Sequence, residues 1–233
     1  MVLAFFCHCF NFAKKSEIRM NIQLYYAPIT CALAPYITLT EAGADFETIP
    51  LNFRQGEHMS PEYLAINPKH KVPMLVVDGI KMTENVAIQQ WIARTFPAAK
   101  LLPKDSWEEL QAVSLVSWCS SGIHPFLRVI NGPPKVCDIS GTEENIRNHA
   151  AEHVYECFQI AENLLDGKEY FFNRFTAPDT NFYWCFRRAA QFNLNLSSFP
   201  NCQAHFDRME TRESVQKLLA FEEKVQAEFS NAE

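Results

Sequence analysis

The sequence predicts a small α/β domain followed by an all-helical one, and three observations carry that prediction. First, a short apolar strand, a turn and a helix precede a second alternating strand, which implies a right-handed parallel crossover. Second, Asp78-Gly79 separates two apolar runs and marks a hairpin. Third, from about residue 105 onward apolar residues recur at helical spacing between caps and prolines.

Ile22-Gln23-Leu24-Tyr25-Tyr26 reads as the first strand, and Pro28 interrupts it before helical spacing sets in over 31–39 and runs up to Gly43. Cys31 therefore falls at or near a helix N-terminus. Free backbone N–H groups and the positive end of the helix dipole favour anions there, so its thiol pKa is expected to be lowered toward neutrality. The competing reading is a small apolar residue, buried and inert. Phe46 to Leu51 alternates as the second strand, and residues 52–71 are loop-like with a short helix at 61–66. Val72 to Val77 and Ile80 to Met82 form the hairpin. Pro73 cannot donate to a sheet ladder, so it marks the strand entrance, where a cis peptide suits a tight turn. Residues 83–94 form a helix closed by Pro97. Its polar Thr83-Glu84-Asn85 start either cradles an anionic ligand together with the helix near Cys31, or simply caps its own helix.

The chain has 233 residues, 48% of them hydrophobic, which is ample for a packed core. A net charge of −6 argues against general affinity for nucleic acid or an anionic membrane. The cysteines at 7, 9, 31, 119, 137, 157, 185 and 202 include no Cys-x-x-Cys pair and read as reduced thiols in a cytoplasmic protein. Residues 1–10 are apolar but precede Lys14-Lys15, the reverse of a secretion signal, and are too short to span a bilayer. Residues 1–20 are accordingly expected to be a tail. Cys7-His8-Cys9 is a lone cluster and is set aside as a metal site.

Four motifs, in order, resemble the cytosolic glutathione transferases, and most of all their bacterial beta class. They are Tyr25-Tyr26-Ala27-Pro28-Ile29-Thr30-Cys31, the run from Glu57 to Pro68, Lys71-Val72-Pro73-Met74-Leu75, and Thr83-Glu84-Asn85-Val86-Ala87-Ile88. The likeness covers about residues 21–229. It implies a thioredoxin-like domain over 21–97, a linker at 98–104, an all-α helical domain over 105–233, and a homodimer. Pro73 matches the family's cis-proline, and Val72 would pair its backbone with the cysteinyl part of glutathione. Glu84 and Asn85 match the pair that holds the γ-glutamyl end, with asparagine where the family more often has serine. Cys31 would lie beside the glutathione sulfur, and in the beta class such a cysteine can form a mixed disulfide. Thr30 and Tyr26 are hydroxyl candidates nearby, and Tyr26 is equally readable as a packed aromatic.

Trp107 to Ile130 reads as one helix, ended by Asn131-Gly132-Pro133-Pro134, with His124 inside it. The resemblance implies that His124 faces the active site, although Pro125 replaces the usual lysine and Ser117 the usual asparagine; the alternative is a core histidine at a proline kink. His149, His153 and Cys157 share a face of the next helix and read as packing. Thr176-Ala177-Pro178-Asp179 opens a helix through a capping-box pair and matches the family's Ser/Thr-x-x-Asp folding motif. Phe182, Trp184 and Phe186 read as core. Pro200 begins a further helix, and 213–229 is the last.

The implied function is conjugation of glutathione, as co-substrate, to a small hydrophobic electrophile, without metal, prosthetic group, nucleic acid or membrane. Catalytic candidates are Cys31, His124 and Tyr26; glutathione-binding candidates are Thr30, Cys31, Val72, Pro73, Glu84 and Asn85. Two alternatives remain: a glutathione-dependent disulfide oxidoreductase or peroxidase using Cys31, and a non-catalytic interaction protein on the same fold.

Overall fold

The computed structural model describes residues 20–231. Strand β1 (Ile22–Tyr26) leads through a turn into helix α1 (Leu33–Glu41), and β2 (Glu47–Pro50) returns parallel to β1, with Leu24 opposite Thr48. Ser60 caps the short α2 (Pro61–Ile66), its hydroxyl accepting from Tyr63 N at 3.1 Å, with Pro61 in the first turn where no N–H is needed. The hairpin β3 (Met74–Val77) and β4 (Ile80–Thr83) completes a mixed sheet of order β2-β1-β3-β4. Helix α3 (Asn85–Thr95) follows directly. This is a thioredoxin-like sheet with helices, and everything after it is helical.

The predicted helix over 107–130 is two helices, α4 (Ser106–Trp118) and α5 (His124–Asn131), joined by a π-turn at Cys119–Ile123. Pro125 explains the break: it has no N–H to donate one turn back, and its ring crowds the carbonyl there. Gly122 makes the turn possible, since a Cβ at that position would lie 2.7 Å from Trp118 Cδ1. Then come α6 (Glu143–Leu164), α7 (Ala177–Gln191), α8 (Pro200–Glu210) and α9 (Glu213–Asn231). The capping box forms as predicted: Asp179 Oδ2 accepts from Thr176 N at 2.7 Å and from Thr176 Oγ1 at 2.8 Å. Its other oxygen accepts from Phe171 N and meets His205 Nε2 at 3.0 Å, so this buried carboxylate ties three segments together.

Among the described residues, two apolar clusters hold the structure. Ile22, Leu24, Leu39, Leu75, Ile88 and Ile92 fill the space between the sheet and its helices. Tyr26, Leu33, Ile37 and Met74 belong instead to a cluster that continues into Ile123, Leu127, Phe158, Phe182 and Phe186, so one core crosses the junction between the sheet and the helical half. Polar contacts reinforce that junction. Arg212, in the turn between α8 and α9, forks onto Glu41 of α1 with both N···O distances 2.9 Å, and its guanidinium lies 3.9 Å over the Phe175 ring.

Candidate active site at the junction

The turn between β1 and α1 is clamped from the helical side. Ile29 has φ of 67°, a left-handed conformation that is strained for a β-branched side chain. Both its backbone polar groups are held: Ile29 N donates to Glu222 Oε1 of α9 at 2.7 Å, and Trp184 Nε1 of α7 donates to Ile29 O at 3.1 Å. Thr30 spends its hydroxyl proton on Ala27 O at 2.6 Å and accepts from Ala32 N at 3.4 Å, which leaves one lone pair for a ligand.

Cys31 corrects one sequence expectation. Its sulfur lies 3.7 Å from the Val72 carbonyl, and burial pushes the thiol up to about 12, against the opposing pull of its own backbone N–H and of the Asn85 amide. Helix α1 begins at Leu33, so Cys31 precedes its N-cap and desolvation outweighs the dipole. The group is a neutral S–H at physiological pH.

The Val72-Pro73 peptide is cis, as the sequence predicted, and delivers Val72 to the site just outside the β3 ladder. Tyr63 Oη and Asn67 Nδ2 both donate to Lys71 O, at 2.5 and 2.7 Å, and fix this bend. Glu84 precedes α3 with φ of 74°, a second strained residue, and its exposed carboxylate meets Lys69 Nζ at 2.6 Å. Asn85 Nδ2 donates to Cys31 O at 3.2 Å, while its Oδ1 is buried without a partner.

Of its two readings, the geometry favours Tyr26 as a packed aromatic over a catalytic hydroxyl. It is fully buried, its Oη donates to Glu222 Oε1, and burial together with that carboxylate raises its pKa well above the ordinary value. Glu222 also accepts from Arg187 Nη1 at 2.8 Å through its second oxygen. His124 opens α5 and packs edge-on against Trp184, ring centroids 4.3 Å apart. Burial, with Arg128 and Lys71 adding to it, lowers His124 to about 4, so it is a neutral imidazole.

Sequence reasoning missed Glu222 and read Trp184 only as core. A signal for Glu222 exists: it stands among Val215, Leu218 and Val225 on the buried stripe of α9, where a carboxylate has no place unless paired. His149 and His153 pair with Glu152 and Glu156 across 3.6 Å on the surface of α6, and Cys157 is buried against Gly122 O. Among the described residues no group of three His, Cys, Asp or Glu side chains is arranged for a metal ion. None of the described helices is long and apolar enough to cross a membrane. Cys7-His8-Cys9 lies outside the described residues.

A thioredoxin-like sheet with a cysteine beside a cis-proline bend is joined to an all-helical half that clamps the cysteine's turn. Family models agree: the glutathione S-transferase N-terminal domain matches residues 20–94 and the C-terminal domain matches 122–213. The chain is 29% identical over 204 residues to glutathione S-transferase GstA of Escherichia coli O157:H7, covering 86% of this chain and 98% of that protein. To glutathione S-transferase 1 of Dianthus caryophyllus it is 32% identical over 155 residues, 65% of this chain and 68% of that one. A solved sphingomonad glutathione S-transferase complexed with glutathione matches with a TM-score of 0.76 at 28% identity, over 86% of this chain and 98% of that one. The chain belongs to the glutathione S-transferase family.

Proposed function

We propose that this protein conjugates glutathione to small electrophiles, with the glutathione sulfur as the nucleophile. The observation that carries this reading is the state of Cys31: its thiol is pushed up to about 12, so it is a hydrogen-bond donor and not an anion. Its present acceptor, Val72 O, is a weak partner at 3.7 Å. A glutathione thiolate brought beside it offers a charged acceptor, and a donor aimed at that thiolate lowers the glutathione thiol pKa and raises its reactive fraction. The same burial works against Cys31 as the attacking group, because a thiolate is required for disulfide exchange. The disulfide reductase and peroxidase reading is therefore the weaker one. An interaction protein would have no use for two strained residues, Ile29 and Glu84, at one cleft.

In this reading Val72 pairs its backbone with the cysteinyl unit. Glu84 exchanges Lys69 for the γ-glutamyl ammonium, and Asn85 and Thr30 offer polar atoms beside it. Pro73 shapes the bend, and neutral His124 with Trp184 walls the electrophile's side. We assign the chain to the bacterial beta class on the position of Cys31, and we propose a homodimer acting in the cytoplasm on small molecules, with no nucleic acid or membrane partner.

Calorimetric titration of the reduced protein with glutathione tests the site. Glu84→Ala removes a charge-assisted contact of about 1.5–3 kcal/mol and should weaken binding about ten- to a hundredfold. A well-folded wild-type protein that does not bind glutathione would overturn the proposal.

A further inference from the structure

We propose that the second substrate is an anion: an electrophile with an apolar body and a carboxylate headgroup, seated between His124, Arg128 and Lys135 and facing Lys71. This deepens the transferase reading and rests on it. The cavity there has a volume of about 350 Å³ and is walled by Pro125, Val129 and Val136 as well as by the basic side chains. Apolar walls with cations at the mouth suit an amphiphilic molecule better than a neutral one.

The basic groups belong to both halves of the protein. Lys71 comes from the bend before Pro73; Arg128 lies on α5 and Lys135 just beyond it. Arg128 and Lys135 both depress Lys71, and Lys71 and Lys135 both depress His58, with burial acting in the same direction. Arg128 and Lys71 likewise disfavour charge on His124. Arg128 and Lys135 line the same cavity, and Lys71 lies within electrostatic reach of both. Among the described residues none of Arg128, Lys135 and Lys71 forms an ion pair, although other lysines and arginines do. In a chain of net charge −6, a cavity lined by Arg128 and Lys135 and by no carboxylate presents a positive potential to whatever enters it.

Glutathione does not account for all of them. Its γ-glutamyl carboxylate and ammonium belong at the Glu84 end, where Lys69 already stands, and its glycyl carboxylate can neutralise one of the remaining cations. At least two stay uncompensated, and Arg128 and Lys135 lie on the helical half, which walls the electrophile's side. Arg128 presents a fork suited to a planar carboxylate, and the Lys135 stem folds over Gly132, where a Cβ would come within 3.3 Å of Lys135 Cδ. For a conjugated ketone the reaction balances without a further reagent. The glutathione sulfur pair forms the C–S bond at the β-carbon, the π pair moves to the α-carbon, and a proton equivalent to the one lost by the thiol is returned there from solvent. The headgroup carboxylate takes no part in bond making.

The test uses 4-phenyl-3-buten-2-one bearing a para-carboxylate, and its methyl ester, as matched electrophiles with the full-length protein. Wild type should favour the carboxylate in kcat/KM by about tenfold or more, and added salt should erode that preference. In Arg128→Gln/Lys135→Gln the loss on the carboxylate should exceed the loss on the ester about tenfold, with glutathione affinity by calorimetry holding. A wild-type ratio near one, equal losses on both electrophiles, or a loss confined to glutathione affinity would each overturn the proposal. The saturated, unreactive acid and ester, titrated calorimetrically, separate the two readings. Preferential binding of the acid without turnover of either enone would keep the anion site and sink the transferase reading. Turnover without charge preference would do the reverse.

Discussion

Replacing Glu222 with alanine should be among the most damaging single changes in this protein, for stability and for the site together. The carboxylate is 2% exposed and serves three donors: Tyr26 Oη, Ile29 N at 2.7 Å and Arg187 Nη1 at 2.8 Å. Truncation leaves a largely buried guanidinium without its counter-charge, and removing one partner of such a pair costs about 3–5 kcal/mol. For a chain of this length each kcal/mol corresponds to roughly 2–4 °C, so the melting temperature should fall by about 6–20 °C. Glu222→Gln keeps an acceptor for Ile29 N and Tyr26 but loses the charge and the oxygen that accepts from Arg187, so it should cost less than the full truncation. Lys217→Ala, which breaks the exposed pair with Glu213, is the control and should cost less than about 0.5 kcal/mol. Chemical denaturation measures all three. Glu222→Ala within 1 kcal/mol of wild type would refute the claim that this carboxylate holds the junction. A stable Glu222→Ala with unimpaired kcat/KM would refute the claim that it holds the Cys31 turn.

Other expectations concern the two neutral groups. Because the Cys31 thiol is pushed up to about 12, iodoacetamide at pH 7.5 should label it far more slowly than a free small-molecule thiol, measurable by peptide mass mapping. Rapid labelling would refute the raised thiol pKa. Cys31→Ala should raise the pH at which the glutathione thiolate absorbance appears while leaving conjugation measurable, whereas abolished conjugation would refute the view that Cys31 only assists. His124 has its pKa lowered to about 4, below its unfolded value, so its neutral form is the one that fits. The stability tied to that neutrality is complete above about pH 6.5 and is lost as pH falls from there through about 4, by on the order of 1 kcal/mol by pH 5 after allowing for partial exposure. His124→Phe should remove that part of the acid sensitivity, and an unchanged pH dependence between 7 and 5 would count against it.

Local signals were legible in the sequence. The Asp78-Gly79 hairpin, the Thr176 cap and the proline before β3 are each written within a few residues, and the structure follows them. Cys31, Val72 and Asn85 come together because each sits at the edge of an element that could be read from its period. The misses have a common physical origin. Tyr26 and Glu222 meet across 196 positions of chain, and no local pattern tells a tyrosine on a strand whether it faces ligand or carboxylate. The Cys31 pKa was argued from a dipole, a local quantity, and was decided by desolvation, which depends on the whole fold. The break between α4 and α5 was written in Pro125, but the compensating π-turn is a tertiary solution that packs Trp118 against Gly122.

That π-turn has a geometric consequence for the cleft. His124 N donates to Cys119 O, five residues back instead of four, so the chain carries one residue more per turn there than an α-helix would. One residue is about 100° of rotation about a helix axis. Everything downstream on α5 is phased by that step, including His124 and, one turn later, Arg128. Removing a single residue from 119–123 would leave the composition of the cleft almost untouched and point its imidazole and guanidinium elsewhere, so the basic wall is set by the turn's residue count as much as by the residues that form it.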